Sequence, residues 1–145
     1  MPADVQSLLL AELEQRLAVV PDFGALVFED SVLRVLDEAD PALPDSFIIL
    51  QPGDTQELER VGPAGVREQT TVSVTLVTKL RAFAPALRSG RLAVKVALAG
   101  PKAGLTVQGV QQVAMPSESP LPPAPGRQWA AHVMQLQINY QQPLK

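Results

Sequence analysis

Histidine is the side chain most often recruited for proton transfer at neutral pH, and this sequence has one, His132. It falls within an alternating run, on the same side as Met134, Leu136, Ile138 and Tyr140. A lone histidine in that setting reads as a packed or hydrogen-bonded residue of a strand. No second histidine is present to share a metal, and cysteine is absent. No zinc site and no thiol chemistry are expected. The serines lie outside any Gly-x-Ser-x-Gly elbow, and His132 is the only base they could use. Gly62-Pro63-Ala64-Gly65 and Gly100-Pro101-Lys102-Ala103-Gly104 contain glycine but match no phosphate loop or dinucleotide fingerprint. Their prolines also remove amide donors that a phosphate cradle would use.

Carboxylates do cluster: Glu29 with Asp30, Asp37 and Glu38 with Asp40, and Glu57 with Glu59. Paired acids serve glycoside hydrolysis, yet aromatic residues are only 4% of the chain, which leaves little to hold a sugar. Solvated loops account for them better. The cations Arg88, Arg91 and Lys95 share one face if residues 84–99 are helical, and read as a solvated face, a phosphate contact, or part of a subunit interface or lumen. Catalytic, cofactor-binding and metal residues are thus expected to be none, and the chain is expected not to be an enzyme.

Two rows of uncharged hydrogen-bonding groups stand out instead. Thr71, Ser73 and Thr75 alternate with Val72, Val74 and Leu76, and Gln135, Gln137 and Asn139 alternate with Leu136, Ile138 and Tyr140. Alternation of this kind belongs to strands with one face on a core. The polar faces are open to solvent, to a neighbouring subunit or to a lumen.

These rows need elements to position them. Val5, Leu9, Leu13, Leu17 and Val20 recur at helical spacing within residues 3–20, with Asp4 in the first turn and Pro21 as the stop. Residues 26–28 and 32–36 are short apolar runs that fit either helix or strand, and residues 37–44 read as an acidic loop. Phe47-Ile48-Ile49-Leu50 reads as a strand buried on both faces. Residues 51–65 read as a loop or an irregular hairpin arm, and residues 70–80 as the clearest strand, with Val72, Val74, Leu76 and Leu80 on its apolar side. Residues 84–99 are alanine-rich between Pro85 and Gly100-Pro101, and read as helix over strand despite Ser89-Gly90. Residues 105–114 and 129–140 read as strands. Between them residues 115–126, with five prolines, read as a stiff loop that connects strands or docks a partner. The pattern is α+β: a mainly antiparallel sheet with the N-terminal helix and a second helix packed on one face.

At 145 residues the chain suits a single domain. A net charge of −3 and an isoelectric point near 5.1 argue against a dedicated nucleic-acid binder. No apolar run is long enough to span a membrane, and no positively charged leader precedes Glu12, so manufacture in the cytoplasm is expected.

The layout resembles the tail terminator family of long-tailed bacteriophages and related contractile injection systems. The resemblance rests on the helix at 4–20, the strand at 70–80 and the following alanine-rich helix ending Ala97-Leu98-Ala99-Gly100. The amphipathic Met134-Gln135-Leu136-Gln137-Ile138-Asn139-Tyr140 completes it. Ser89-Gly90 and the proline-rich segment depart from the pattern. The resemblance implies a virion protein that forms a ring, hexameric in the family, on the head-proximal end of the tail tube. Its implied partners are further copies of itself, the tail tube protein and the head-tail connector, with DNA passing through the ring without sequence-specific binding. Other head-tail connector, neck or tube-associated proteins share this size and composition, and a small-molecule-binding module is the remaining alternative.

Overall fold

A computed structural model describes residues 2–145. The chain opens with α1, Val5–Leu17, whose N-terminus is capped by Asp4 accepting from the Gln6 N–H at 3.1 Å. Val5, Leu9, Leu13 and Leu17 form its buried stripe, each at most 2% exposed. Val20, beyond the last turn, is buried as well.

The ambiguous apolar runs resolve into one strand and one helix: β1, Val27–Glu29, and α2, Val32–Glu38. Ser31 caps α2 through the Arg34 N–H, and Ala39 closes it in the left-handed conformation. β2, Ser46–Arg60, runs straight through the stretch whose alternatives were loop or arm. It forms a long hairpin with β3, Gly65–Thr78, around a short 3-10 turn at Gly62–Ala64. Register shifts at Pro52/Thr55 and Glu57/Glu59 absorb the irregular sequence. Leu80 lies past the end of β3 and is exposed, so it does not extend the apolar row as expected.

α3, Phe83–Ala97, confirms the helical reading of the alanine-rich segment. Gly90 has a packing reason: a Cβ there would stand 2.8 Å from the Phe23 ring and 3.2 Å from Leu76 Cδ1. The helix can lie this close to the core only where the side chain is missing.

The last two strands differ from expectation at their ends. β4 is Val110–Leu121 rather than 105–114, and β5 is Ala130–Pro143. Residues 105–109 cannot join the ladder because Glu12 takes the Thr106 and Val107 amides, at 2.8 and 3.1 Å. The supposed proline loop is strand as far as Leu121. β4 is the edge strand, where a missing N–H need not break a ladder bond, and Pro116 falls in the register shift between Ala114 and Ser117.

The sheet order is β1-β2-β3-β5-β4, with β1 parallel to β2 and every other pair antiparallel. α1 and α3 cover one face over Ile48, Leu50, Val72, Val74, Leu76, Met134, Leu136 and Ile138. The fold is therefore the expected α+β arrangement. The addition is α2, which covers part of the opposite face through Val35 over Phe47, Ile49, Val77 and Ala131. That second layer explains why Phe47-Ile48-Ile49-Leu50 is buried on both sides.

Candidate functional surfaces

Strand register brings the two polar rows together. Thr71 pairs with Gln137, Ser73 with Gln135, and Gln69 with Asn139, so all six project from one face of adjacent strands. That face is the one α2 leaves open. Ser73 Oγ donates to Gln135 Oε1 at 3.2 Å, Gln69 Nε2 to Asn139 Oδ1 at 2.9 Å, and Gln137 Nε2 to Gln69 Oε1 at 3.3 Å. Gln51 continues the row on β2 and accepts from the Val32 N–H at 2.8 Å, tying the start of α2 to the sheet. Five of the six expected residues thus form a half-buried, uncharged surface. Thr75 does not belong to it: it is fully buried under the α2 layer, and its Oγ1 has no partner among the described residues.

The basic trio divides. Arg91 and Lys95 turn toward Glu118 on β4, with Lys95 Nζ 3.1 Å from Oε2. His132 Nε2 lies 2.8 Å from Glu118 Oε1. The Arg91 hydrogen bonds hold the Glu118 carboxyl down at about 2; burial opposes them, and His132 and Lys95 add to them. Arg88 makes no ion pair among the described residues and stays exposed. Glu118 was missed in the sequence because it sits between Pro116 and Pro120. No spacing rule links it to Arg91; only the pairing of β4 with β5, which sets Glu118 opposite Met134, carries it there.

The acidic clusters separate into ion pairs. Asp37 accepts from Arg127 at 2.6 Å, Glu57 from Arg60 at 2.5 Å, Glu59 from Arg67, and Glu38 from Arg34 at 3.5 Å. Asp37 and Asp40 line one open cavity of about 490 Å³ together with the cations Lys79 and Arg127, and the other acids lie away from it. Among the described residues no three His, Cys, Asp or Glu side chains stand together as a metal site would need.

On the helical side of the sheet, Gln6 Nε2 reaches Tyr140 Oη at 2.7 Å and Thr55 Oγ1 at 2.9 Å. Tyr140 Oη donates to Glu68 at 2.8 Å. Burial pushes the phenol up to about 12; the Gln6 hydrogen bond works the other way and Glu68 adds to the rise. This network joins α1 to the root of the β2–β3 arm.

An apolar groove of about 400 Å³ opens between α3 and the end of the β4–β5 pair. Phe83, Leu87, Pro120 and Leu121 wall it, and Arg88 and Arg91 stand among its lining. Outside it, Leu92 and Val96 on α3 are 60% and 69% exposed. On the other face of the sheet, Leu33 of α2 is 76% exposed. No described helix is long and apolar enough to cross a membrane.

An α+β sheet of this order is the class the geometry defines. No family model and no curated protein matches the sequence. Among solved structures the chain is similar to a chain of the virion of a native gene transfer agent particle. The TM-score is 0.64 at 15% identity, over 94% of this chain and 97% of that one. At that identity the likeness establishes a shared fold.

Proposed function

We propose that this chain is a structural subunit of a phage-like particle, and that within it the chain is a tail terminator. In this role it forms a ring, hexameric as in the family it resembles, on the head-proximal end of the tail tube. The ring stops tube growth on one face and meets the head connector on the other. The observation that carries the virion reading is the fold shared end to end with a chain of the gene transfer agent virion.

The uncharged face of Gln69, Thr71, Ser73, Gln135, Gln137 and Asn139 supports the finer reading. Phosphate affinity comes from Lys and Arg, so a passage lined by hydroxyls and amides lets DNA through without holding it. The protein's role is then mechanical rather than enzymatic. Glu118 fits that reading, since its carboxyl is held low by cations rather than raised as a general acid requires.

Removal of the gene from a particle-producing strain tests the proposal. The expected result is tubes of uncontrolled length that fail to join heads, with the purified protein forming rings and antibody against it marking the head-proximal end. Label along the tube or at its tip would instead make the chain a tube or baseplate component. Absence from particles would remove the virion reading altogether.

A further inference from the structure

The proline-rich segment has no part in the proposed function, and its first half lies on a sheet edge. β4 pairs with β5 on one side only. In an antiparallel pair every second residue turns its N–H to the partner, and the residues between turn theirs away. The Gln141 N–H donates to the Gly109 C=O at 3.0 Å, just before β4 begins. The β3–β5 register runs without a shift, so Gln137, Gln135 and Val133 face β4 as Gln141 does. Ile138, Met134 and His132 then mark the pairs without hydrogen bonds. Val113, opposite Ile138, agrees: its N–H points outward and donates to the Pro101 C=O at 3.4 Å. Glu118 lies opposite Met134 and Pro120 opposite His132, so their nitrogens point outward too. Pro116 sits in the register shift between Ala114 and Ser117 and carries no N–H in any orientation. From Pro116 to Leu121 the open side of β4 therefore offers a single amide, that of Glu118.

We infer that this edge is closed to strand addition, and that Pro116 and Pro120 close it. An incoming strand needs donors at every second residue of the edge it joins. Here the Val113 donor is already engaged and the prolines have none. The opposite edge is blunted differently. β1 covers β2 only at Ile48–Leu50, and the exposed stretch beyond carries Asp54, Glu57, Glu59 and Arg60 together with both register shifts. A closed ring needs head-to-tail contacts between two different surfaces. A sheet continued around a ring would have to join the β4 edge of each copy to the β1–β2 edge of the next. Closure of β4 forbids that, so copies of this chain meet through side chains and not through a shared ladder. The inference stands on strand register and holds for whatever assembly the chain forms.

Pro116→Thr with Pro120→Thr restores the missing donors on residues that favour strand and tests this in the full chain. Pro122→Thr with Pro123→Thr is the control, since it removes as many prolines just beyond the end of β4. Circular dichroism melts establish that each variant folds, and Pro120→Thr alone takes the place of the edge variant if the double change does not. By sedimentation over a concentration series, wild type and control are expected to match. The edge variant is expected to shift to heavier species, with a new intermolecular-sheet band in the infrared. An edge variant that sediments as the wild type does overturns the inference. So does equal association of the control, which would trace the effect to the stiffness of the segment rather than to the missing amides. Protection of the Glu118 amide from hydrogen exchange when the wild type assembles overturns it as well, because a neighbour's strand would then hold that amide.

Discussion

Arg91 of α3 donates two hydrogen bonds to Glu118 of β4, the one from Nη2 to Oε2 at 3.1 Å. The same carboxylate takes Lys95 and His132. One acid on an edge strand therefore fastens the helix to the sheet at the point where the apolar groove opens, and its removal strands three partners at once.

Glu118→Gln keeps the size and loses the charge. With Arg91 and Lys95 partly exposed, solvent screening limits the effect, and the expected destabilisation is about 1–2 kcal/mol, read from the urea midpoint. The pH dependence has a definite sign. The carboxyl sits at about 2 in the fold against an ordinary 4.5, so its contribution is present above 4.5 and lost as pH falls from there toward 2. Wild type and Glu118→Gln are expected to converge in stability across that window. A constant gap down to pH 2 would show that the carboxylate charge is not what fastens α3.

Gly90→Ala sets two effects against each other. Alanine favours helix by about 1 kcal/mol, but its Cβ would stand 2.8 Å from the Phe23 ring. Overpacking of this kind costs about 1–3 kcal/mol, so the variant is expected to melt lower than wild type. Adding Phe23→Leu should recover part of the loss. A Gly90→Ala protein more stable than wild type would mean that the α3–Phe23 contact is looser than described.

Glu12 closes the loop between α3 and β4. Burial raises its carboxyl, but hydrogen bonds from Thr106, Arg16 and Val107 outweigh this and leave it below the usual carboxylate range. Glu12→Ala should free the Thr106 and Val107 amides to exchange with solvent at least tenfold faster, at about 1–3 kcal/mol. The sheet amides of β3 and β5 should keep their protection. Uniform loss of protection would make Glu12 a global support rather than a local clasp.

The parts of this fold legible in the sequence were those with local causes. Four-residue spacing of Val5, Leu9, Leu13 and Leu17 identifies α1, and alternation around Val72 and Leu136 identifies two central strands. β4 was hidden because Pro116 and Pro120 carry a loop signal that edge strands tolerate. The start of that strand was misplaced because Glu12, more than 90 residues earlier, takes the Thr106 amide. The polar face was legible residue by residue, but its continuity depends on register, as in Thr71 opposite Gln137. Thr75 looked equivalent to Ser73 in the sequence and is buried only because α2 folds across that end of the sheet.

That polar face yields the sharpest test of whether it lines the interior of the proposed ring. Thr71 and Gln135 are diagonal neighbours across β3 and β5, so Thr71→Lys with Gln135→Lys adds two cations per subunit without placing them directly opposite one another. Both positions are half-buried and accessible on the open face. If this face lines the passage, rings of the variant should retain DNA at low salt and release it as salt rises, whereas wild-type rings retain none. Particles carrying the variant should then eject DNA more slowly while keeping normal tail length. If variant rings bind DNA no better than wild type, the amide and hydroxyl face lies away from the passage and belongs to a subunit contact instead.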